Sequence, residues 1–598
     1  MSSYKERKKK NRFIFKAWGI SSIILLPCLV FYVTESFYHN PFTDIASSVQ
    51  MLNCLMYITL ACFLWFLIGN REWAIRILVV IGFAYGLANY YLIGFRGIPV
   101  LPWDILFVGT AARVMGEFDF SIVDTAIISA ILCFALFVAA GVYKKKARID
   151  IGRKPRWILF GLTVVLLLIQ YFLLASDAYR EKFEVYENLY APYTMSQQNG
   201  LLVALVVESH YMGIQKPEDY SLEDAQNFFE GLEADVIDEN TSYPNVIVIM
   251  SECFSDLSFI GDYEASEDEI PFVHEIFDGM EDTVSGTLHV NVLAGNTANT
   301  EFEFLTGHTQ SFFPDGSVSY QQYINQDIPS LVSHMNEIGY STVAFHPFYE
   351  TGWNRNVVYE YMQFDTFIDE TDLEDPTRIR AYIDDYTVTD RIIEEFEAAQ
   401  DPLFMFTVTM QNHSPYYTEY DNFEPNITVE GSDDFSLQNF LSLMQISDEA
   451  LEELVDYLEN SDKETIVVFF GDHQPADSVV EDIWTLNGVD SRYLTEEEFN
   501  TRYTVPFVVW ANYDIEDQTE VETSANFLSA QIFEWCDIPK SAYQNYLLEI
   551  LEEYPIITTR GATTSEGLIA DLNKINKFEG IDDTLLEYQQ LQYYLMFD

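Results

Sequence analysis

The chain is poor in cysteine and, over most of its length, poor in basic residues. It has six cysteines in 598 residues, and only Cys253 and Cys536 lie after residue 176. So few cysteines exclude a disulfide framework. Residues 177–598 hold 14 Lys and Arg against 84 Asp and Glu, a net charge of −70. That charge would repel the phosphates of DNA and RNA, and we expect no nucleic-acid partner.

Long apolar runs are confined to the first 176 residues. Five of them approach the ~20 residues that cross a hydrocarbon core. They lie at 17–34, 51–69, 75–95, 121–143 and 157–175. Seven Lys and Arg precede the first run, seven more lie at 144–156, and the 35–50 loop has none. By the positive-inside rule, we expect a multi-pass protein of the cell membrane with five helices, a cytoplasmic N-terminus and the remaining chain outside the cell.

The domain boundaries follow from this pattern. We expect a transmembrane domain at 1–176, a helical linker at 177–243, and an extracellular catalytic domain with a small C-terminal subdomain at 244–598. The first apolar run alternatively resembles a cleaved signal peptide, but four more spans follow it. The Pro-rich segment 96–106 fits either a re-entrant segment near the lipid headgroups or a proline-stiffened turn.

After residue 243, apolar runs alternate with amphipathic stretches. The runs predict buried strands at Asn245–Met250, Ser341–Phe345, Leu403–Thr409, Thr465–Phe470 and Tyr503–Trp510. The amphipathic stretches predict helices at 327–338, 386–399 and 443–460. Pro506 makes the last strand the expected edge, because proline cannot donate to a ladder. This alternation predicts an α/β fold with a mainly parallel sheet.

Polar residues follow four of these strands. In chain order they are Glu252, His346, His413 and Asp472-His473. The carboxyl ends of parallel strands are where such sheets bind ligands, and Asp and His are good metal ligands. Thr297, in a Gly-Asn-Thr segment, adds a hydroxyl. Each residue alone also has an ordinary explanation, such as a turn acid or a loop cap. Their shared placement favours a metal-activated hydroxyl nucleophile and phosphoryl or sulfuryl chemistry.

Five motifs together give the chain a resemblance to a known family. They are Ser251-Glu252-Cys253-Phe254-Ser255-Asp256, the segment Gly-Asn-Thr-Ala-Asn-Thr-Glu-Phe-Glu at 295–303, Gly352-Trp353-Asn354-Arg355, Gln411-Asn412-His413 and Gly471-Asp472-His473. With its five apolar runs and its α/β part, the chain resembles the lipoteichoic acid synthase group of membrane phosphoglycerol transferases, in the alkaline phosphatase/sulfatase superfamily. The resemblance covers nearly the whole chain.

This resemblance implies a site and a reaction. One divalent cation, Mn²⁺ or alternatively Mg²⁺ or Zn²⁺, would be held by Glu252, Thr297, Asp472 and His473. Thr297 would be the catalytic nucleophile, and glycerol phosphate would be contacted by His346, Trp353, Arg355 and His413. The implied reaction moves glycerol phosphate from phosphatidylglycerol to an acceptor hydroxyl through a phosphothreonine-type intermediate. The acceptor would be a glycerol-phosphate polymer such as lipoteichoic acid, a glycolipid or a surface glycan.

Some departures from the family keep alternatives open. Residues 474–476 and 347–348 lack polar groups that lipoteichoic acid synthases place there, so phosphoglycerol transfer is a firmer expectation than polymerisation. A sulfatase proper needs Cys or Ser in a Cys/Ser-x-Pro-x-Arg context, whereas Thr297 precedes Ala-Asn-Thr. The remaining alternatives are a phosphoethanolamine transferase, a related phosphatase, and a catalytically silent surface binding protein.

Overall fold

The structure is a computed structural model of the chain. It describes residues 21–96, 99–102, 104, 124–141, 151–186, 192–211, 214, 216–238, 241, 243–314, 316–565, 567, 569–570 and 583–598. These residues form two compact units, with the boundary at residues 215–216.

The first unit is helical. Its helices are Ser21–Glu35, Pro41–Asp44, Ser47–Ile68, Arg71–Arg96, Asp124–Ala140, Arg153–Leu174, Asp177–Lys182, Pro192–Asn199 and Leu201–Glu208. Among the described helices, three are long and apolar enough to cross a membrane: Ser47–Ile68, Arg71–Gly94 and Arg153–Leu174. Ser21–Glu35 and Ala126–Ala140 are apolar but shorter. A helix therefore overlaps each of the five predicted spans, and three of these helices have full spanning length.

Parts of the topology prediction fall on residues outside this description. The basic segments 1–16 and 144–150, which set the predicted orientation, are among them, so the orientation and the five crossings stay predictions. In segment 96–106, residues 97–98, 103 and 105–106 also lie outside it. In the rest of that segment, the Val100 amide donates to Asn89 Oδ1 at 2.8 Å. This bond ties the segment to the helix Arg71–Arg96 and fits both interpretations of the segment.

The second unit alternates strands and helices. Its strands are β1 (Asn245–Ser251), β2 (Thr283–His289), β3 (Ser341–Phe345), β4 (Thr366–Ile368), β5 (Arg378–Ile379), β6 (Tyr382–Ile383), β7 (Leu403–Val408), β8 (Thr465–Gly471), β9 (Thr504–Ala511), β10 (Gln518–Ser524), β11 (Ile556–Thr558), β12 (Gly561–Thr563) and β13 (Ile569–Ala570). Its α-helices are Leu222–Gly231, Pro271–Phe277, Thr297–Thr306, Ser319–Gln322, Leu331–Glu337, Arg355–Tyr361, Asp385–Ala398, Phe435–Glu459, Asp477–Leu486, Glu496–Asn500, Ala525–Trp535, Ala542–Glu553 and Asp583–Phe597.

The described strands form one main sheet of eight and two small sheets. The main order is β10-β2-β9-β8-β1-β7-β3-β4, and neighbouring strands pair in parallel except where β9 meets β2 and β8. β1, β7, β8 and β9 are buried along their whole length, which explains their nearly continuous apolar sequences. The predicted α/β fold with a mainly parallel sheet is confirmed.

β9 is an interior strand, so the prediction that Pro506 marks an edge is wrong. Pro506 lies opposite Thr287 of β2, whereas pairing with β8 ends at Phe470 and Phe507. The proline lies just past the end of the β8 ladder, where its missing N–H interrupts no pair. One edge is instead β10, whose polar sequence Gln-Thr-Glu-Val-Glu-Thr-Ser gave no apolar run to predict a strand.

Candidate active site

Four adjacent parallel strands end at the same edge of the main sheet. In sheet order they are β8, β1, β7 and β3. Asp472 and His473 follow β8, Glu252 follows β1, His346 follows β3, and His413 lies five residues after β7. Because these strands share one direction, the residues that follow them emerge at one carboxyl edge.

Thr297 reaches this edge from a tight turn after β2. Residues 294–296 all have positive φ, at 56°, 145° and 63°. Such left-handed conformations cost non-glycine residues energy and cluster at functional sites. The amide of the first of them donates to the Gln474 carbonyl at 3.0 Å, which fixes the turn beside the end of β8. Thr297 is then the first residue of a helix, rather than part of a loop, and its hydroxyl lies 3.4 Å from Glu252 Oε2.

Glu252, Asp472 and His473 converge on one point. One ligand atom from each lies within 4.8 Å of the other two. His473 Nε2 is 3.2 Å from Asp472 Oδ2 and 3.8 Å from Glu252 Oε1, and all three side chains are buried. The Asp472 carboxylate is held by the Cys253 amide, which donates to Oδ1 at 2.7 Å. The backbone at Glu252 is held by its own amide, which donates to Thr409 Oγ1 at 3.1 Å.

The bonding of this triad fits a divalent cation. His473 Nδ1 lies 3.0 Å from the Gln474 carbonyl, which only accepts, so in neutral His473 Nδ1 carries the proton and Nε2 keeps a lone pair that can bind a metal ion. Nε2 faces Asp472 Oδ2, and neither atom has a hydrogen-bond partner in the described parts of the chain. Two buried acceptors this close repel each other unless a cation offsets them. Two carboxylates, an imidazole and a hydroxyl are donors that suit Mn²⁺, Mg²⁺ or Zn²⁺.

Burial and neighbouring charges shift the pKa of two groups at the site. Burial, followed by repulsion from Asp472, raises the pKa of Glu252 above its ordinary value. Burial, followed by the positive charge of Arg355, lowers the pKa of His346 well below its ordinary value, so this imidazole is neutral. His346 Nδ1 lies 2.9 Å from the Val408 carbonyl and therefore carries the proton. Its Nε2 is left as a hydrogen-bond acceptor.

Arg355 is buried behind a sharp turn. Trp353, which is half-buried, and Asn354 have φ of 52° and 67°, which redirects the chain just before Arg355. Glu301 accepts from Arg355 Nε at 3.0 and 3.1 Å, and also from Nη2. Nη1 has no hydrogen bond within the described residues. It lies 3.3 Å from where a Cβ at Gly352 would stand, so the glycine leaves it room.

His413 is half-buried and is held by the hairpin formed by β5 and β6. Its Nδ1 lies 2.8 Å from the Ser414 carbonyl and 3.0 Å from the Tyr382 hydroxyl. Because the carbonyl only accepts, Nδ1 carries the proton in neutral His413, and Nε2 keeps its lone pair. Arg380, at the turn of the hairpin, donates to three backbone carbonyls of segment 411–415. The hairpin thereby fixes the segment that carries His413.

The eight residues singled out in the sequence lie at or next to this edge. Four of them surround the convergence point, His346 and His413 follow neighbouring strands, and Trp353 lies in the turn before Arg355. Their roles as ligands, nucleophile and substrate contacts stay predictions. Sequence reasoning gave no role to Glu301 or Tyr382. Glu301 had a signal, since it lies four residues after Thr297 in a quoted motif; nothing in the sequence pointed to Tyr382.

Comparison with known proteins gives a family match and several relatives. The sulfatase family matches residues 244–538. A protein of Rhizobium meliloti (strain 1021) named for cyclic beta-1,2-glucan modification is 32% identical over 362 residues, 59% of this chain and 55% of its own length. Lipoteichoic acid synthase 1 of Bacillus subtilis (strain 168) is 26% identical over 238 residues, 38% of this chain and 36% of that protein. The chain thus spans about half the first relative's length and less of the second's.

Among solved structures, the Streptococcus pyogenes phosphoglycerol transferase in complex with sn-glycerol-1-phosphate is 21% identical, with a TM-score of 0.49 over 64% of this chain and 94% of that chain. The family match covers the main sheet with the whole carboxyl edge described above, including both segments that carry the buried acids. Residues 244–538 therefore form a sulfatase-family domain, and lipoteichoic acid synthases are among the chain's sequence relatives.

Proposed function

We propose that the chain transfers glycerol phosphate from phosphatidylglycerol to an acceptor hydroxyl, by way of glycerol phosphate carried on Thr297. The observation that carries this proposal is the Thr297 hydroxyl 3.4 Å from Glu252, beside the converging Asp472 and His473. The sequence match to lipoteichoic acid synthases supports the choice of donor.

In this proposal, one divalent cation is held by Glu252, Thr297, Asp472 and His473. The cation is Mn²⁺, with Mg²⁺ and Zn²⁺ as alternatives. When bound, it lowers the pKa of a coordinated hydroxyl and offsets charge on a phosphoryl oxygen. The two unsatisfied buried atoms, Asp472 Oδ2 and His473 Nε2, support the assignment of these side chains as ligands.

The reaction consists of two displacements. In the first, Thr297 Oγ1 forms a bond to phosphorus while the bond from phosphorus to the diacylglycerol oxygen breaks. The proton that Thr297 loses ends on the released diacylglycerol. In the second, the acceptor oxygen bonds to phosphorus, the bond to Thr297 breaks, and the acceptor's proton restores the Thr297 hydroxyl. Splitting the transfer in this way replaces one difficult step by two easier ones.

Four other side chains bind the glycerol phosphate. Arg355 donates to a phosphate oxygen through Nη1, the guanidinium nitrogen that Glu301 leaves uncontacted. The unprotonated Nε2 of His346 accepts a hydrogen bond from a glycerol hydroxyl, and the His413 ring contacts the glycerol. Trp353 forms a wall of the glycerol pocket. The anionic end of the substrate thus meets a cation, and its neutral end meets an imidazole acceptor.

The lipid donor fits the first unit of the chain, whose apolar helices are long enough to cross a membrane. In the proposed arrangement the chain is a multi-pass membrane protein with a cytoplasmic N-terminus, and the catalytic unit faces the outer leaflet. Tethering raises the effective concentration of the donor at the site. The acceptor is a glycerol-phosphate polymer such as lipoteichoic acid, a glycolipid or a surface glycan.

The test is diacylglycerol release from phosphatidylglycerol labelled in its acyl chains. We expect Thr297→Ala to lower release by at least ~10³-fold, because a missing nucleophile costs an enzyme most of its rate. Thr306→Ala is the matched control, since it makes the same substitution in the same helix and removes only the bonds of that hydroxyl to the Phe302 carbonyl and the His308 amide, neither of which belongs to the proposed site. It should retain release. Undiminished release by Thr297→Ala would remove Thr297 from the mechanism.

The same assay separates the alternatives. Phosphatidylglycerol and phosphatidylethanolamine are offered separately, and the headgroup product is identified by mass spectrometry. Transfer of ethanolamine phosphate alone would favour a phosphoethanolamine transferase, and transfer to water alone would favour a phosphatase. A catalytically silent surface protein would consume neither lipid.

A further inference from the structure

Glu301 is a buried acid to which the proposed reaction gives no role. Its side chain is fully buried, with an exposed fraction of 0%. It lies four residues after Thr297 in the helix Thr297–Thr306, and side chains at this spacing share one face of a helix. The proposed nucleophile and this carboxylate therefore belong to one rigid element.

Both carboxylate oxygens of Glu301 are used. Oε1 accepts from Arg355 Nε at 3.0 Å and from Arg355 Nη2, while Oε2 accepts from Nε at 3.1 Å and from the Tyr359 hydroxyl at 2.7 Å. The Arg355 side chain is also buried, with 2% exposed. A buried arginine without its carboxylate would leave an uncompensated charge, so this pair constrains both partners strongly.

The pair also fixes which part of Arg355 remains available. Nε and Nη2 are engaged by Glu301, while Nη1 has no hydrogen bond within the described residues. The room beside Nη1 is provided by Gly352, whose absent Cβ would stand 3.3 Å away. The planar fork that arginine usually offers to a phosphate is therefore turned toward Glu301, and a single nitrogen faces away from it.

We propose that Glu301 is a positioning residue: it aligns Arg355 Nη1 with the phosphoryl group that Thr297 attacks, through one helix that carries both Glu301 and Thr297. This inference rests on the proposed function. In the free protein, the carboxylate of Glu301 offsets the positive charge of the guanidinium. Arg355 therefore orients the phosphoryl group more than it attracts it. A phosphate oxygen then accepts one hydrogen bond of fixed direction from Nη1, instead of contacting a guanidinium that is free to move.

The substitution Glu301→Gln separates alignment from binding. The glutamine side chain keeps the length of glutamate but loses its charge, and its NH₂ group opposes the guanidinium. The Arg355 side chain is then less constrained, and the pair of side chains carries a net positive charge. Arg355 therefore binds the phosphate of the donor as tightly as before or more tightly. Alignment in the transition state is lost. A mutation with these effects lowers kcat without raising KM.

Glu303 provides a matched control on the same helix. Its side chain is buried with 1% exposed, and it accepts from Asn291 Nδ2 at 2.7 Å, Thr309 Oγ1 at 3.1 Å and the Gln310 amide at 2.8 Å. These partners include no arginine and none of the proposed substrate contacts. Glu303→Gln therefore makes the same chemical change in an equally buried place, and its cost falls on stability.

The experiment measures diacylglycerol release against phosphatidylglycerol concentration for the full chain in detergent, with the folded fraction of each variant fixed by thermal unfolding. We expect kcat of Glu301→Gln to fall at least about tenfold with KM unchanged or lower, and kcat of Glu303→Gln to stay within about twofold of the wild type. If Glu301→Gln does not fold, Tyr359→Phe replaces it, because it keeps the Glu301 carboxylate and removes the hydrogen bond from the Tyr359 hydroxyl to Oε2. It should lower kcat severalfold with KM unchanged.

Three outcomes overturn the inference: an unchanged kcat in Glu301→Gln, equal kcat losses in Glu301→Gln and Glu303→Gln, or a KM that rises as kcat falls. In the replacement experiment, an unchanged kcat in Tyr359→Phe does the same. Thr297→Ala is measured in parallel. If it retains release, the proposed function itself fails; if it loses release while Glu301→Gln keeps its kcat, only the role of Glu301 fails.

Discussion

Replacing Gly471 with alanine tests how closely the two acid-bearing segments must pack. Gly471 ends β8 and immediately precedes Asp472. A Cβ at this position would lie 2.0 Å from the carbonyl oxygen of Phe254 and 3.1 Å from Val505 Cβ. Phe254 is two residues after Glu252, so the added methyl group would push apart the segments that carry the two buried acids.

The size of the effect follows from these distances. Cβ atoms essentially never approach another heavy atom within 3.0 Å, so a segment must move by about 1 Å. Overpacking of this kind costs about 1–3 kcal/mol of unfolding free energy. A misplacement of about 1 Å at a catalytic site costs about 10²-fold in rate. We therefore expect Gly471→Ala to lose both stability and about a hundredfold of kcat/KM.

Gly286→Ala is the control for the stability loss alone. Its Cβ would lie 1.9 Å from the Val521 carbonyl oxygen, a clash of the same kind between β2 and the edge strand β10. Denaturant unfolding gives the stability of both variants, and diacylglycerol release per folded molecule gives their activity. Gly286→Ala should lose stability but keep its activity. Wild-type activity in a folded Gly471→Ala would refute the packing argument.

Two further predictions concern the metal and pH. Excess chelator should abolish diacylglycerol release and added Mn²⁺ should restore it; release that persists in chelator refutes the cation. His274 lies 2.9 Å from Asp268 and 3.6 Å from Asp256. These carboxylates raise the pKa of His274 to about 9, and the hydrogen bond to Asp256 is the largest cause. Its protonated form therefore stabilises the fold fully below pH 6.5, the ordinary pKa, and this contribution is lost as pH rises through 9. Wild-type Tm should fall more over this interval than Tm of His274→Gln; equal falls would contradict the assignment.

The sequence was informative about the parallel centre of the sheet. β1, β3, β7 and β8 are buried and apolar, so their sequences read as strands within one residue of their true ends. β2 and β10 were not predicted, because both are rich in polar residues and neither contains an apolar run. The prediction from Pro506 failed because proline is excluded only from positions whose N–H would join a neighbouring strand. The strand register shows that the missing N–H of Pro506 interrupts no pair, and the register cannot be read from the sequence.

The candidate site was predictable as a set of residues but not as a geometry. The five motifs indicated the family, and the sulfatase match confirms that resemblance. The positive φ at residues 294–296, which directs Thr297 to the sheet edge, depends on long-range contacts such as the bond to Gln474. The Glu301–Arg355 pair joins residues 54 positions apart, and no local pattern encodes that contact.

In the proposed reaction, Thr297 carries the transferred glycerol phosphate. The most direct measurement is rapid quenching of the full chain after mixing with phosphatidylglycerol and Mn²⁺ without acceptor, followed by peptide mass mapping. We expect one glycerol phosphate on the peptide that contains Thr297, and none in Thr297→Ala. Diacylglycerol released without such an adduct, or an adduct on another residue, would contradict it.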